Sequence, residues 1–243
     1  MIRKWLLTAG VVSLFTATGW ATSVAVIDDF TTLDPGNLGV VASPDSCPGD
    51  ASPQTYGGSN AIGQRQVTVN RTGGTGCATF SVATPSPRAE LSLDSDTSGE
   101  AMILWNVADP GTLSSAIMGA HHLSFLYRAD GGVVTTGPNQ SSVAFNLCLN
   151  SGACMSFAQN FVGPLVPLQQ ITWSFNDFFN YDAFWNDLNN GALISSIQLT
   201  LAGMNGQNLI IDQIQITTPE PATFVLMGSA LAGLALLRRR RLV

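Results

Sequence analysis

The sequence predicts an all-β protein: an antiparallel β-sandwich of jelly-roll type, flanked by a cleaved signal peptide and a C-terminal transmembrane helix. Short runs rich in β-branched and aromatic residues recur through the middle of the chain, with turn residues between them. Many of these runs alternate apolar and polar residues, as Leu123, Phe125 and Tyr127 show. Both ends of the chain instead combine a long apolar run with basic residues.

Residues 1–21 have the composition of a secretion signal. Arg3 and Lys4 precede an apolar run from Trp5 to Phe15, and small residues follow as far as Ala21. At about 11 residues this run is too short to cross a bilayer core of about 30 Å as a helix. We expect export through the Sec translocon and cleavage by signal peptidase close to Ala21. A buried N-terminal helix is the alternative.

Residues 22–218 form the predicted extracytoplasmic domain, whose length suits a single β-sandwich. The domain has four arginines, no lysine and fifteen acidic residues, a net charge of −11. A surface this acidic repels phosphate backbones, so nucleic acid is excluded as a partner. Residues 36–64 are rich in Gly, Pro, Ser and Asn and predict a long excursion between regular strands.

The predicted strands follow one another with turn clusters between them, and Phe178–Leu188 is the best candidate for a helix. The strands are predicted at 23–30, 66–70, 78–83, 89–93, 101–106, 122–128, 142–149, 153–158, 170–175, 194–201 and 208–216.

Four cysteines lie in the domain, and an even number in an exported chain favours disulfides over metal thiolates. Cys148 and Cys154 flank a plausible hairpin loop and would face each other across two strands. We therefore expect the pairs Cys148–Cys154 and Cys47–Cys77, although four cysteines permit three pairings.

The end of the sequence combines three features in a fixed order. Pro219, Glu220 and Pro221 come first, and sixteen uncharged residues at 222–237 follow. As a helix these would span about 24 Å, slightly short for a bilayer. The positive-inside rule would keep the terminal basic cluster cytoplasmic and the domain outside. That cluster consists of Arg238, Arg239, Arg240 and Arg241.

This tail at residues 219–243 resembles the PEP-CTERM sorting signal. The resemblance implies recognition by an exosortase, a membrane-embedded cysteine transpeptidase or protease of Gram-negative bacteria that make exopolysaccharide. Cleavage would fall at or beside Pro219-Glu220-Pro221. The protein would be anchored in the inner membrane with its domain in the periplasm, and would then reach the cell surface or the extracellular matrix. An ordinary membrane anchor that is never cut is the alternative.

The domain itself resembles jelly-roll modules of the carbohydrate-binding and galactose-binding-like group. The resemblance rests on a first strand reading VAVIDDF at 24–30 and a last strand reading LIIDQIQI at 209–216. It implies exopolysaccharide as a ligand.

Two acids draw attention by their position in these strands. By alternation, Asp28 shares a face with Val24, Val26 and Phe30, and Asp212 shares one with Ile210, Ile214 and Ile216. A carboxylate in an apolar layer must be paired, hydrogen-bonded or metal-bound. Because related jelly rolls often hold a structural calcium ion where such strands meet, Asp28 and Asp212 are candidate calcium ligands. Otherwise both acids would sit at strand ends and face water; no other cofactor is expected.

Signals for catalysis are poor, and we expect no enzyme. His121 and His122 begin an apolar strand with no obvious partner, and no spacing selects two carboxylates for glycoside hydrolysis. Seven of the thirteen residues in Trp173–Trp185 are aromatic, which suits either core packing or stacking on sugars. The expectation is a non-catalytic envelope or matrix protein that binds exopolysaccharide. The alternatives are a jelly-roll glycan hydrolase or lyase and a purely structural matrix component.

Overall fold

The computed structural model describes residues 22–30, 40–42, 47, 50–51, 53–56, 62–83, 88–130, 140–162, 165–204 and 206–218. These residues form one compact unit, Ser23–Thr217. The predicted signal peptide at 1–21 and the predicted transmembrane helix at 222–237 lie outside the described residues. Within the described ranges, no helix has the length and apolar character that a membrane crossing requires.

The described residues form mainly strands, as the alternating runs predict. In chain order the elements are β1 (Thr22–Asp28), β2 (Val40–Ala42), β3 (Asp50–Ala51), β4 (Gln54–Tyr56), β5 (Gly63–Gly73), β6 (Ala78–Ala83), β7 (Arg88–Leu93), β8 (Ser98–Val107), α1 (Pro110–Gly119), β9 (His122–Asp130), β10 (Gln140–Leu149), β11 (Cys154–Val162), β12 (Leu165–Ser174), a 3-10 turn (Phe175–Asp177), α2 (Tyr181–Asn189), β13 (Ile194–Met204) and β14 (Asn208–Thr218).

The strands form two sheets. Sheet A has the order β12-β9-β14-β7-β6-β2-β3, and β1 also pairs with β14. Sheet B has the order β11-β10-β13-β8-β5-β4, and its neighbouring strands are antiparallel. From β5 onward the chain passes repeatedly from one sheet to the other, a connectivity typical of jelly rolls. The predicted fold class is therefore confirmed.

Aromatic side chains from both sheets meet in the core between them. The ring of Phe125 on β9 lies 5.7 Å from that of Phe145 on β10, measured between centroids. Trp173 on β12 also lies 5.7 Å from Phe145, and Tyr127 on β9 lies 4.8 Å from Phe161 on β11. All five side chains are buried. These contacts hold the sheets face to face and leave one outer face on each.

Two helices pack buried side chains against the core of the sandwich, and only one was expected. The predicted helix at Phe178–Leu188 is present as α2, which begins three residues later and ends one residue later. The second helix, α1, was not predicted. Its signal is local: Asp109 caps the helix by accepting a hydrogen bond from the Thr112 N–H at 3.1 Å, and Pro110 occupies the first helical turn.

Both predicted disulfides are present and confirm the expected pairing. Cys148 and Cys154 are directly opposed in the β10–β11 ladder, so the short hairpin itself brings them together. Cys47 is bonded to Cys77, thirty residues later and just before β6. The second bond ties the Gly- and Pro-rich excursion to the start of β6 in sheet A.

A buried ion pair links the two sheets. Asp28, on β1 of sheet A, accepts hydrogen bonds from Arg65 Nη2 at 3.1 Å and from the Phe30 N–H at 2.8 Å, both at Oδ1. Its Oδ2 accepts from Trp105 Nε1 at 2.8 Å and lies 2.9 Å from Arg65 Nε, off the direction that a hydrogen bond requires. Arg65 and Trp105 belong to β5 and β8 of sheet B, so one carboxylate connects three strands.

The surroundings of this pair favour its charged form against the effect of burial. The side chains of Asp28 and Arg65 are only 1% and 3% exposed. Burial raises the pKa of the Asp28 carboxyl, while Arg65 and the N–H groups of Phe30 and Trp105 oppose that rise. The Arg65 guanidinium also lies 5.1 Å from the centre of the Phe30 ring. Phe30 adopts a positive φ of 52°, which lets its N–H reach back to Asp28.

Arg65→Met should lower the free energy of unfolding by about 3–5 kcal/mol, because it leaves Asp28 buried without its cation. The matched control is Arg128→Met, which removes the half-exposed ion pair with Asp130 and should cost no more than about 1 kcal/mol. Urea denaturation of both variants measures the difference. Equal losses would contradict a structural role for the Asp28–Arg65 pair.

Candidate functional site

The outer face of sheet B consists mainly of amide and hydroxyl side chains, with a few apolar side chains on its central strands. Along its central strands, inward residues are buried and the alternate residues, which face outward, are half-buried or exposed. These outward residues include Gln64, Gln66, Thr68 and Asn70 on β5; Glu100, Met102, Leu104 and Asn106 on β8; Ser142, Ala144 and Asn146 on β10; Ser156, Ala158 and Asn160 on β11; and Ser196, Gln198, Thr200 and Ala202 on β13.

The antiparallel register aligns one set of these residues in a row across all six strands. Neighbours in the row are directly opposed in the ladders, so their side chains lie side by side on one face. Five steps of about 4.8 Å make the row roughly 24 Å long. Its members, called the amide row below, are Ser156, Asn146, Gln198, Leu104, Gln66 and Thr55.

Phe179 extends the amide row at its β11 end. Its N–H donates to the Ser156 carbonyl at 2.7 Å, and the Ser156 N–H donates to the Phe179 carbonyl at 3.2 Å. Because opposed residues in an antiparallel pair point to the same face, the Phe179 ring stands beside Ser156 on the outer face of sheet B. The residue is 72% exposed. The face therefore combines an exposed aromatic surface with a row of hydrogen-bonding groups.

This outer face is nearly uncharged. Among the described residues its only ionisable side chain is Glu100, which accepts a hydrogen bond from Asn70 Nδ2 at 3.2 Å near one end of the sheet. The outer face of sheet A differs, since Arg88 and Glu90 lie on β7 and Arg128 donates to Asp130 at 2.8 Å on β9. The acidity of the domain as a whole is therefore not shared by the outer face of sheet B.

Some aromatic residues of the segment Trp173–Trp185 pack in the core, and others are exposed or partly buried. The sequence allowed both core packing and exposure for stacking on sugars. Four of its rings are buried in the core, and Trp173 donates from Nε1 to Gln159 Oε1 at 2.6 Å. Among the aromatic residues of the segment, Phe179 alone is largely exposed, while the partly buried rings of Tyr181 and Trp185 stack with centroids 5.3 Å apart. The core members are Trp173, Phe175, Phe178 and Phe184.

Asp212 lies on a different face from the one that simple alternation predicts. A β-bulge between Asp212 and Gln215 inserts an extra residue into β14, and Gln213 adopts a φ of 48° there. The bulge reverses the parity of the strand, so Ile214 and Ile216 point into the core while Asp212 stays on the outer face with Ile210. The expectation that Asp212 shares a face with all three isoleucines is corrected.

Burial raises the pKa of the Asp212 carboxyl; the Gln213 N–H opposes that rise, Asp29 adds to it, and Arg88 opposes it. The Oδ1 atom of Asp212 is buried and accepts no hydrogen bond. Asp28, the other candidate calcium ligand, already directs both oxygens at Arg65, Trp105 and the Phe30 N–H. Over the described ranges, no group of three or more His, Cys, Asp or Glu side chains forms a metal cluster. Calcium binding by Asp28 and Asp212 stays a prediction.

Comparison with known proteins supports the interpretation of the tail. A protein-family model described as the PEP-CTERM protein-sorting motif matches residues 217–241. The chain carries a PEP-CTERM sorting motif. The PEP-CTERM motif indicates a protein that is exported, passes through the membrane in anchored form and is processed by an exosortase. No curated protein matches the chain significantly.

Solved structures with a similar outline include binding modules and an enzyme. A family 11 carbohydrate-binding module of a cellulosomal cellulase from Clostridium thermocellum aligns with 82% of this chain and 95% of its own, at 14% identity and a TM-score of 0.40. A xylan-binding domain from Paenibacillus barcinonensis aligns with 85% and 100%, at 10% identity and a TM-score of 0.35. The family 11 xylanase from Neocallimastix patriciarum aligns with 74% and 100%, at 10% identity and a TM-score of 0.36. Because these structures include both binding modules and an enzyme, the similarity does not distinguish a binding function from a catalytic one.

Asp212→Asn should raise the Tm at pH 7 in the presence of a chelator. The raised pKa means that the ionised carboxylate costs stability above the folded-state pKa, and an amide avoids that cost. The gain should vanish below pH of about 3, where the carboxyl is protonated in both folded and unfolded chains. If calcium binds here, saturating calcium should raise the Tm of the native protein by several degrees and leave the variant unchanged.

The control is Asp177→Asn, which alters an exposed carboxylate in the 3-10 turn and should shift neither curve. A lower Tm for Asp212→Asn at pH 7 with chelator would contradict the assigned cost. Identical calcium and chelator curves for the native protein would remove the calcium prediction.

Proposed function

We propose that residues 22–218 are a non-catalytic domain that binds uncharged polysaccharide chains on the outer face of sheet B. After an exosortase has acted on the PEP-CTERM motif, the domain would serve at the cell surface or in the exopolysaccharide matrix. The observation that carries this proposal is the amide row with Phe179 at its end.

The chemistry of this face suits sugars. Amide groups donate and accept hydrogen bonds, and hydroxyl groups do the same, which matches the vicinal hydroxyls of a neutral glycan. The exposed ring of Phe179 offers a flat apolar surface to the C–H face of a sugar. A row of roughly 24 Å suits an extended chain lying across the strands rather than a single small molecule.

The charge distribution supports an uncharged ligand. A domain of net charge −11 repels acidic polysaccharides over its whole surface, and the outer face of sheet B supplies no cation among its described residues to offset that repulsion. Hydrolysis by paired carboxylates needs two such groups about 5–9.5 Å apart. Among the described residues of this face, Glu100 is the only carboxylate, and a single carboxylate favours binding over cleavage there.

Phe179→Ala should weaken binding of the processed protein to neutral polysaccharide by about tenfold or more, since loss of an aromatic hot-spot side chain costs about 2 kcal/mol or more and about 1.4 kcal/mol corresponds to tenfold. Affinity electrophoresis in gels containing mixed-linkage glucan, xylan or galactan measures this effect, and alginate provides the acidic comparison. Val166→Ala is the matched control, because Val166 is an exposed apolar residue on β12 of sheet A.

Retardation by at least one neutral polysaccharide and none by alginate is expected. Equal binding by Phe179→Ala and the native protein would contradict the assigned site. Release of reducing sugars by the purified protein would contradict the non-catalytic proposal.

The processed protein should end between Thr218 and Pro221. Mass spectrometry of the form released to the surface or medium gives its C-terminal residue directly. A released protein that keeps Arg238–Arg241 would contradict processing at the PEP-CTERM motif.

A further inference from the structure

The last strand before the sorting motif occupies the middle of a sheet. β14 lies between β9 and β7 and also pairs with β1. Without β14, the β12–β9 pair would have no connection to the rest of sheet A. Sheet A is therefore complete only once β14, the final strand of the domain, lies between β9 and β7.

The final residues of β14 are held firmly in this position. Ile216 and Thr217 are opposed to Leu123 and His122 on β9, and both are fully buried. The Thr217 carbonyl also accepts a hydrogen bond from the His121 N–H at 3.2 Å. The ordered sheet continues to Thr218, the residue immediately before Pro219.

The pairing of these residues in sheet A conflicts with the way a cleaving enzyme binds its substrate. Proteases and transpeptidases bind an extended segment on both sides of the bond they cut, often by pairing with its backbone. For a cut at or beside Pro219-Glu220-Pro221, the segment on the N-terminal side includes Ile216, Thr217 and Thr218. In the folded domain Ile216 and Thr217 are already paired with β9 and fully buried, and Thr218 follows them directly as the last residue of β14.

We infer that the end of β14 is a latch on sorting: residues 216–218 must leave sheet A before an exosortase can cut at Pro219-Glu220-Pro221. This inference rests on the exosortase processing that the PEP-CTERM motif indicates. The bulge at Asp212–Gln215 makes such a local detachment feasible. It separates the terminal segment from the pairing of Asn208–Ile211 with β7, so the end of β14 can detach while that pairing stays intact.

The test compares two positions for one flexible spacer in the full-length protein. A six-residue Gly-Ser spacer between Thr218 and Pro219 moves the motif away from the fold while keeping its distance from the apolar run. The same spacer between Pro221 and Ala222 moves the motif away from the apolar run while keeping its distance from the fold. Cleavage is followed by pulse-chase in cells that contain the exosortase.

The latch predicts that the upstream spacer speeds cleavage by about tenfold or more, because the enzyme no longer has to wait for fraying. The downstream spacer should give no acceleration. An upstream spacer that leaves the rate unchanged would overturn the latch while leaving exosortase processing intact. Absence of cleavage in all three proteins would contradict the processing itself, and the latch with it.

A second pair of variants tests the latch without changing the motif's spacing. Ile216→Ala loosens the end of β14 by removing buried methyl and methylene groups and should also speed cleavage several-fold. Leu199→Ala removes similar buried volume from β13 of sheet B and should leave the rate near that of the native protein. Circular dichroism of each purified variant confirms that it is folded. Equal acceleration by both variants would show that global stability, and not the end of β14, controls cleavage.

Discussion

The position of β14 constrains most of the structure. It is the last strand of the domain, yet it joins β9 to β7 and gives β1 its partner. Such a sheet joins strands far apart in sequence, so sheet A cannot be completed before its last strand, β14, is in place. The same strand leads directly into the PEP-CTERM motif. The residues that end the last strand, Thr217 and Thr218, therefore lie directly beside the sorting motif.

The Asp28–Arg65 pair performs a complementary task at the other end of the chain. β1 lies at the start of the domain, and its only described sheet partner is β14. The hydrogen bonds from Arg65 and Trp105 tie β1 to sheet B as well, so the first strand is held from two sides. A buried ion pair is costly to place but costlier to break, which suits a connection that must be specific.

The outer faces of the two sheets differ in their side-chain chemistry. The outer face of sheet A carries Arg88, Glu90, Arg128 and Asp130, and its last strand is bulged. In sheet B the register between β10, β13, β8 and β5 is regular where it aligns Asn146, Gln198, Leu104 and Gln66. A regular register is needed for such alignment, since a one-residue slip would turn every one of these groups into the core.

Sequence patterns anticipated much of this fold and only part of its site. Alternation identified the main strands, and hairpin spacing placed Cys148 opposite Cys154, because both signals are local. Alternation failed at Asp212 because a bulge reverses parity, and the Asp109–Pro110 capping signal of α1 was overlooked. The amide row could not be predicted, because three of its five strand pairs, β10–β13, β13–β8 and β8–β5, join strands that are distant in sequence. Phe179 could not be separated from its buried aromatic neighbours without knowing its bridge to Ser156.

The most direct test of the account is to map the surface that neutral polysaccharide occupies. In NMR titrations of the processed protein, side-chain amide signals report on individual Asn and Gln residues. The account predicts that a bound neutral glycan shifts the signals of Asn146, Gln198 and Gln66 together with the ring of Phe179, and leaves the Arg128 region of sheet A unchanged. Shifts concentrated on sheet A, with the amide row unaffected, would contradict it.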